Sequence, residues 1–346
     1  MKKIAFYDTK PYDTLWFDRL NHSGLEFQYI ENKLNADTAR LARDCEGVVA
    51  FVNDRVDREA IGALCAAGVK VIALRSAGFN NVDFRAAYQK ITVLRVPSYS
   101  PNAVAEYAMG LLLALNRKIH KAYARTRENN FSLSGLTGFD LRGKTVGVVG
   151  TGQIGRVFLD ICRGFQMDAL AYDPSPAPDL GVRYVPLDTL YGECKIISLH
   201  CPLTRESHHM INAETIGKMR DGVYLINTSR GALVESGALL RGLKSKKIGG
   251  AALDVYEEES ALFFEDFSQE IISDDTLSLL ISLPNVILTS HQAFLTEEAL
   301  KRIAETTIEN LSAYFAGAEL PNEICYQCGT GTGGPNCPPR KNGRCF

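Results

Sequence analysis

The feature that most restricts the fold is the run Thr145-Val146-Gly147-Val148-Val149 leading into Gly150-Thr151-Gly152-Gln153-Ile154-Gly155. The valine-rich half reads as a buried strand, and the glycines allow a tight turn with the main chain open to close approach. Residues 153–165 then follow helical spacing. A strand, a Gly-x-Gly-x-x-Gly turn and a helix make the pyrophosphate cradle of a dinucleotide-binding unit, because the helix amides meet the phosphates. An acidic residue belongs at the end of the next strand, and Asp173 stands there in Ala171-Tyr172-Asp173-Pro174. Its carboxylate suits ribose hydroxyls and repels a 2′-phosphate, so NAD is expected over NADP. Gly150, Gly152, Gln153, Ile154, Gly155 and Asp173 are the expected cofactor residues.

Short apolar runs alternate with helical stretches along the whole chain. One series covers 3–7, 47–51, 69–74 and 92–96, with a helix at 57–66. A second covers 144–149, 169–172, 196–199, 223–227, 251–253 and 286–288. Such alternation predicts α/β architecture with parallel sheets. Two series predict two Rossmann-like or flavodoxin-like domains with a cleft between them. Between the series, a helix is expected from Pro101 to His120, capped by Ser100 and apolar nearly all round, hence buried and suited to a subunit interface. A last helix is expected over 296–315, opened by Thr296 with Glu297 and Glu298. The expected division is a discontinuous substrate domain (1–99 with 292–324), an NAD-binding domain (100–291) and a tail (325–346).

Three polar groups follow strands of the second series. Arg230 lies in Asn227-Thr228-Ser229-Arg230-Gly231, just past a strand end, where open α/β sheets bind ligands. A guanidinium grips a carboxylate at two points. His291 lies in Ser290-His291-Gln292-Ala293-Phe294 and can donate to a carbonyl oxygen or take a proton back. Glu259 closes Asp254-Val255-Tyr256-Glu257-Glu258-Glu259 and would stabilise the imidazolium. Spacing alone leaves Glu257 and Glu258 as rivals. His200 follows residues 196–199 and is expected to line the adenine side with Cys201 and Pro202. His208 and His209 read as surface residues, and no metal-ligand spacing accompanies them.

A chain of 346 residues with net charge −2 and pI near 6.3 lacks the basic footprint of a nucleic-acid binder. The apolar run near the N-terminus stops at Asp8, so it reads as a strand and not a signal peptide. Long apolar runs are lacking, so no membrane span is expected. Scattered Cys45, Cys65, Cys162, Cys194 and Cys201 suit a reducing compartment, and a cytoplasmic location is expected. Cys325, Cys328, Cys337 and Cys345 crowd the last 22 residues, with five glycines and three prolines after Cys328. That tail is expected to be disordered, with reversible disulfides or no role. Its spacing matches no recognised zinc pattern, so no metal is expected.

These residues together resemble the D-isomer-specific 2-hydroxyacid dehydrogenase family, and within it the fermentative bacterial D-lactate dehydrogenases. The carrying segments are 73–83, 96–106, 133–139, 200–204, 262–266 and 291–296, and the likeness extends from residue 1 to about 324. The resemblance implies that Arg230 holds the substrate carboxylate, Glu259 supports His291, and His291 is the acid/base. It places the amides of Ala77 and Gly78 at the carboxylate, Tyr99 in the pocket, and Phe51 and Phe294 around a small methyl group. It puts Asp254, Thr228 and Ser229 near the nicotinamide. Tyr107 stands where the family often has histidine. The implied reaction is hydride transfer between NADH and pyruvate giving D-lactate, in a homodimer or homotetramer. The alternatives are a bulkier 2-oxo acid such as phenylpyruvate, or an NAD-sensing corepressor on the same fold.

Overall fold

The first apolar series forms a five-stranded parallel sheet in spatial order β2-β1-β3-β4-β5. Its strands are β1 (Lys2–Phe6), β2 (Leu25–Tyr29), β3 (Gly47–Ala50), β4 (Val71–Leu74) and β5 (Thr92–Leu94). The computed structural model describes residues 1–259 and 262–324. Central β3 and β4 are buried along their whole length, which is why they read as unbroken apolar runs. β2 was not expected from the sequence. It is an edge strand, Leu-Glu-Phe-Gln-Tyr, whose alternate residues Glu26 and Gln28 are exposed.

The second series forms a seven-stranded parallel sheet in order β12-β11-β10-β9-β6-β7-β8. It comprises β6 (Thr145–Val149), β7 (Asp168–Tyr172), β8 (Arg183–Tyr184), β9 (Ile196–Leu199), β10 (Val223–Asn227), β11 (Ile248–Leu253) and β12 (Val286–Leu288). The register aligns Val149 with Leu199, Leu199 with Asn227, Asn227 with Leu253 and Leu253 with Leu288. Gly150, His200, Thr228, Asp254 and Thr289 therefore leave the sheet along one edge. That single row is what the binding groups are built on.

The helices follow their capping chemistry. Asp57 accepts the Ala60 amide at the start of α2 (Arg58–Ala66), and Thr296 accepts the Ala299 amide at the start of α11 (Glu297–Ala316). The helix expected to run from Pro101 to His120 is two helices, α4 (Pro101–Arg117) and α5 (Ile119–Arg127). Lys118 between them is left-handed at φ 55, which no continuous α-helix allows. α4 buries Ala105, Ala108, Leu112 and Leu115 against Val146, Val148 and Phe158, whereas α5 buries nothing. α6 (Gln153–Gly164) shares that layer through Phe158, Leu159 and Cys162.

The described residues divide into two compact units, Pro101–Phe294 and the described residues on either side of it. Cys45, Cys65, Cys162, Cys194 and Cys201 are free thiols. The cysteine-rich tail lies outside the described residues. No helix among the described residues is long and apolar enough to cross a membrane.

Candidate active site

The glycine turn is fixed by close approaches that only glycine permits. At Gly150, φ +94, a Cβ would meet the His200 carbonyl at 2.7 Å, and at Gly155 it would lie 2.0 Å from the Gly150 oxygen. Gly152 has open space where a side chain would be and caps α6 without one, which leaves the first-turn amides to a phosphate. Asp173 Oδ2 accepts the Thr151 amide at 2.7 Å and its hydroxyl at 3.1 Å, and Oδ1 accepts the Ser175 amide at 2.8 Å. Burial opposes ionisation of Asp173, but these hydrogen bonds and Arg156 outweigh it and hold the carboxyl below its usual range. Asp173 is therefore an anion at neutral pH.

The groups that follow β9 beside the glycine turn are uncharged. Burial pushes the His200 imidazole down to about 3, and its Nε2 lies 2.9 Å from Ser198 Oγ. The Cys201 carbonyl accepts the Ser229 hydroxyl at 2.6 Å, the Cys201 sulfur lies 3.7 Å from that of Met210, and burial raises the thiol to about 11. The Pro202 carbonyl accepts the Ser207 hydroxyl at 2.8 Å. Thr228 Oγ1 is buried with no protein hydrogen-bond partner, an orphan that an amide-bearing ring at this edge would satisfy. The residues present fit a dinucleotide.

Next along the row, Asp254 clamps the loop that carries His291. Its carboxylate accepts the Thr289 hydroxyl at 2.6 Å, the Gln292 amide at 2.9 Å and the Ala293 amide at 2.8 Å, and its carbonyl accepts the His291 amide at 2.7 Å. Burial raises the Asp254 carboxyl against these bonds. The clamp has work to do, because His291 is left-handed at φ 54, an unfavourable conformation outside glycine. The sequence marked Asp254 by resemblance only, and missed Thr289. Tyr107 also reaches this loop, with its hydroxyl 2.7 Å from Gln292 Nε2.

His291 Nδ1 lies 2.8 Å from Glu259 Oε1, and Glu259 Oε2 accepts the Tyr256 amide at 2.9 Å. A carboxylate can only accept, so Nδ1 carries its proton and Nε2 is the atom left for a ligand. Glu257 is engaged elsewhere: one oxygen bonds the His209 ring and the other accepts the Ser236 amide. His209, expected to be an ordinary surface residue, is half-buried in that pair. The structure thus separates glutamates that spacing could not.

Arg230 sits in a turn ordered by Asn227, whose side chain accepts the Ser229 amide at 3.0 Å and donates to the Arg230 carbonyl at 2.8 Å. A Cβ on Gly231 would lie 2.0 Å from the Tyr256 oxygen, so the Arg230 turn packs directly on the strand exit that leads to Glu259. Asn227 and Gly231 were not singled out from the sequence, although both lie inside the quoted motif. Cation, carboxylate and imidazole thus belong to neighbouring strand exits of one unit. Such a set can hold an anion and pass a proton to or from a carbonyl oxygen.

The other expected residues occupy the second unit, Phe294 excepted. Phe51 follows β3 and is buried, with the Arg75 guanidinium 4.0 Å above its ring and Asn81 Nδ2 on its carbonyl at 2.8 Å. Ala77 and Gly78 are half-buried after β4, their carbonyls taking Arg95 Nη1 at 3.2 Å and the Ser76 hydroxyl at 2.8 Å. Tyr99 is half-buried before α4, and Phe294 is buried beside Ala293.

Residues 109–293 match the family model described as D-isomer specific 2-hydroxyacid dehydrogenase, NAD binding domain. The chain is 51% identical to a D-lactate dehydrogenase of Escherichia coli (strain K12) over 327 residues, 93% of this chain and 99% of that one. The solved structure of the pyruvate reductase of Chlamydomonas reinhardtii superposes with a TM-score of 0.88 at 44% identity, covering 93% of this chain and 98% of that chain. The Aquifex aeolicus D-lactate dehydrogenase, solved with NAD and lactic acid, gives 0.81 at 33% identity over 91% and 96%. The chain belongs to the D-isomer-specific 2-hydroxyacid dehydrogenase family and is an NAD-dependent oxidoreductase.

Proposed function

We propose that this protein interconverts pyruvate and D-lactate with NADH and NAD, using Arg230, Glu259 and His291. The observation that carries the reading is the Glu259–His291 pair at 2.8 Å, which leaves imidazole Nε2 free at the same sheet edge as the glycine cradle. Bound NADH supplies the hydride. Arg230 holds the substrate carboxylate at two points and draws charge from the adjacent carbonyl. Protonated His291 donates its Nε2 proton to the carbonyl oxygen as the C2–O double bond becomes a C–OH bond, and Glu259 stabilises the imidazolium. In the oxidation direction neutral Nε2 takes the hydroxyl proton. Asp173 binds the ribose hydroxyls, and Cys201, Pro202, Thr228, Ser229 and Asp254 border the rest of the cofactor.

The Pro101–Phe294 unit is the cofactor domain on this reading. Of the other expected substrate residues, Phe294 closes this unit, whereas Ala77, Gly78, Tyr99 and Phe51 belong to the other one. The free cysteines suit a cytoplasmic enzyme. A homodimer or homotetramer is supported by the bare α5 region, where Ile119, Tyr123, Phe131 and Leu133 are 55%, 63%, 73% and 81% exposed. Comparing kcat/KM for pyruvate and phenylpyruvate tests the substrate. Pyruvate should lead by about tenfold or more; a lead for phenylpyruvate overturns the assignment of the small acid.

A further inference from the structure

We propose that a pocket at the opposite edge of the seven-stranded sheet binds a small anion carrying two or more negative charges. Three neighbouring strands, β10, β9 and β6, begin beside it. Lys144 immediately precedes β6, Lys195 immediately precedes β9, and Arg220 with Asp221 leads into β10. The backbone locks these starts side by side: Lys195 donates to the Thr145 carbonyl and Tyr224 donates to the Lys195 carbonyl, both at 2.9 Å. The cavity has a volume of about 490 Å³ and is lined by Phe139, Lys144, Lys195, Arg220 and Asp221. That is ample for a phosphate ester or a small polycarboxylate.

The charge balance points to an anion. Among the described residues, neither Lys144, Lys195 nor Arg220 is in an ion pair with a carboxylate. The acid in the lining, Asp221, is already neutralised by Lys247 at 2.8 Å. Lys195 is held in place, with Nζ donating to the Gly222 carbonyl at 2.6 Å and lying 5.5 and 5.3 Å from the Phe139 and Tyr224 ring centres. Arg220 is tethered through Nη1 to the Glu193 carbonyl at 3.4 Å. Burial, then Arg220, then Lys144 lower the Lys195 ammonium, so the local field is positive. Gathering like charges is unfavourable unless a counter-charge joins them, and a doubly charged anion here removes the repulsion and is gripped by a guanidinium fork. The glycine cradle, Asp254 and His291 stand at the other ends of the same strands, about 16 Å away along a five-residue strand. The site is separate from the reaction.

Full-length protein saturated with NADH, so that the pyrophosphate cradle is filled, is titrated with inorganic tripolyphosphate and, separately, with citrate at fixed ionic strength. Calorimetry reads affinity and stoichiometry, and thermal unfolding reads stabilisation of the native state. The expected result is saturable binding of one anion per chain with a raised unfolding midpoint. The tighter of the two probes identifies phosphate or carboxylate chemistry. Lys144→Met and Lys195→Met should each weaken binding about tenfold. Asp221→Asn should tighten it several-fold, a gain that damaged folding cannot produce, and Lys90→Met, on the other unit, should change nothing. The proposal is overturned if neither probe saturates, if Lys90→Met weakens binding as much as Lys195→Met, or if only a twenty-nucleotide DNA strand binds.

Discussion

His291 Nδ1 lies 2.8 Å from Glu259 Oε1, while Glu257, two residues earlier, gives its carboxylate to His209 and Ser236. Two glutamates of one run thus serve two histidines on different segments. Glu259→Gln removes the charge facing the imidazolium of the proposed reaction, so kcat for pyruvate reduction should fall on the order of 10²-fold. Glu257→Gln should lower the unfolding midpoint and change kcat far less. Steady-state rates and thermal scans on the two variants separate them; equal losses of kcat contradict the assignment.

Asp254→Asn tests the clamp on the His291 loop. One carboxylate oxygen becomes an amide NH2 facing a backbone N–H of Gln292 or Ala293, both of which Asp254 now accepts. Stability should drop by about 1–3 kcal/mol. The kcat should fall more than NADH affinity, because the left-handed His291 loses its support. Urea titration and NADH binding measure the two effects.

On the proposed reading Asp173 sets the choice of cofactor. Its carboxyl is held below the usual range, so NADH affinity should stay flat from pH 8 to about 5 and weaken only as pH falls through the lowered value. Asp173→Ser with Ser175→Arg should relax discrimination against NADPH by removing repulsion of the 2′-phosphate. A wild-type preference for NADPH contradicts this role.

Asp54 sets a pH dependence of stability. Its buried oxygens accept the Leu34 and Phe51 amides, both at 2.6 Å, and burial raises the carboxyl to about 7. A folded-state value above that of the unfolded chain means that the folded chain holds the proton more tightly. The contribution is complete below about pH 4 and is lost as pH rises through 7. Between those limits stability should fall by about 1.4 kcal/mol per pH unit from this group. Asp54→Asn should remove that slope; urea midpoints of both proteins between pH 4 and 8 measure it.

Much of this was legible in the sequence because burial on both faces writes itself as short runs rich in valine, isoleucine and leucine. β3, β4, β9 and β10 show it plainly. β2 and the two-residue β8 were missed, since an edge strand keeps polar residues on its open side or is too short to leave a pattern. The break at Lys118 was invisible, because a lysine in left-handed conformation carries no signal of its own. The choice among Glu257, Glu258 and Glu259 could not come from spacing. It depends on where each backbone turn aims its side chain, and on contacts with residues 32 or 48 positions away.

The most direct test is to incubate the protein with NADH and pyruvate, follow loss of NADH absorbance, and resolve the product on a chiral column. D-lactate should form in equal amount to the NADH consumed, with turnover lost in His291→Ala although NADH still binds. L-lactate as product, or tight NADH binding without turnover in the unaltered protein, contradicts the proposed reaction.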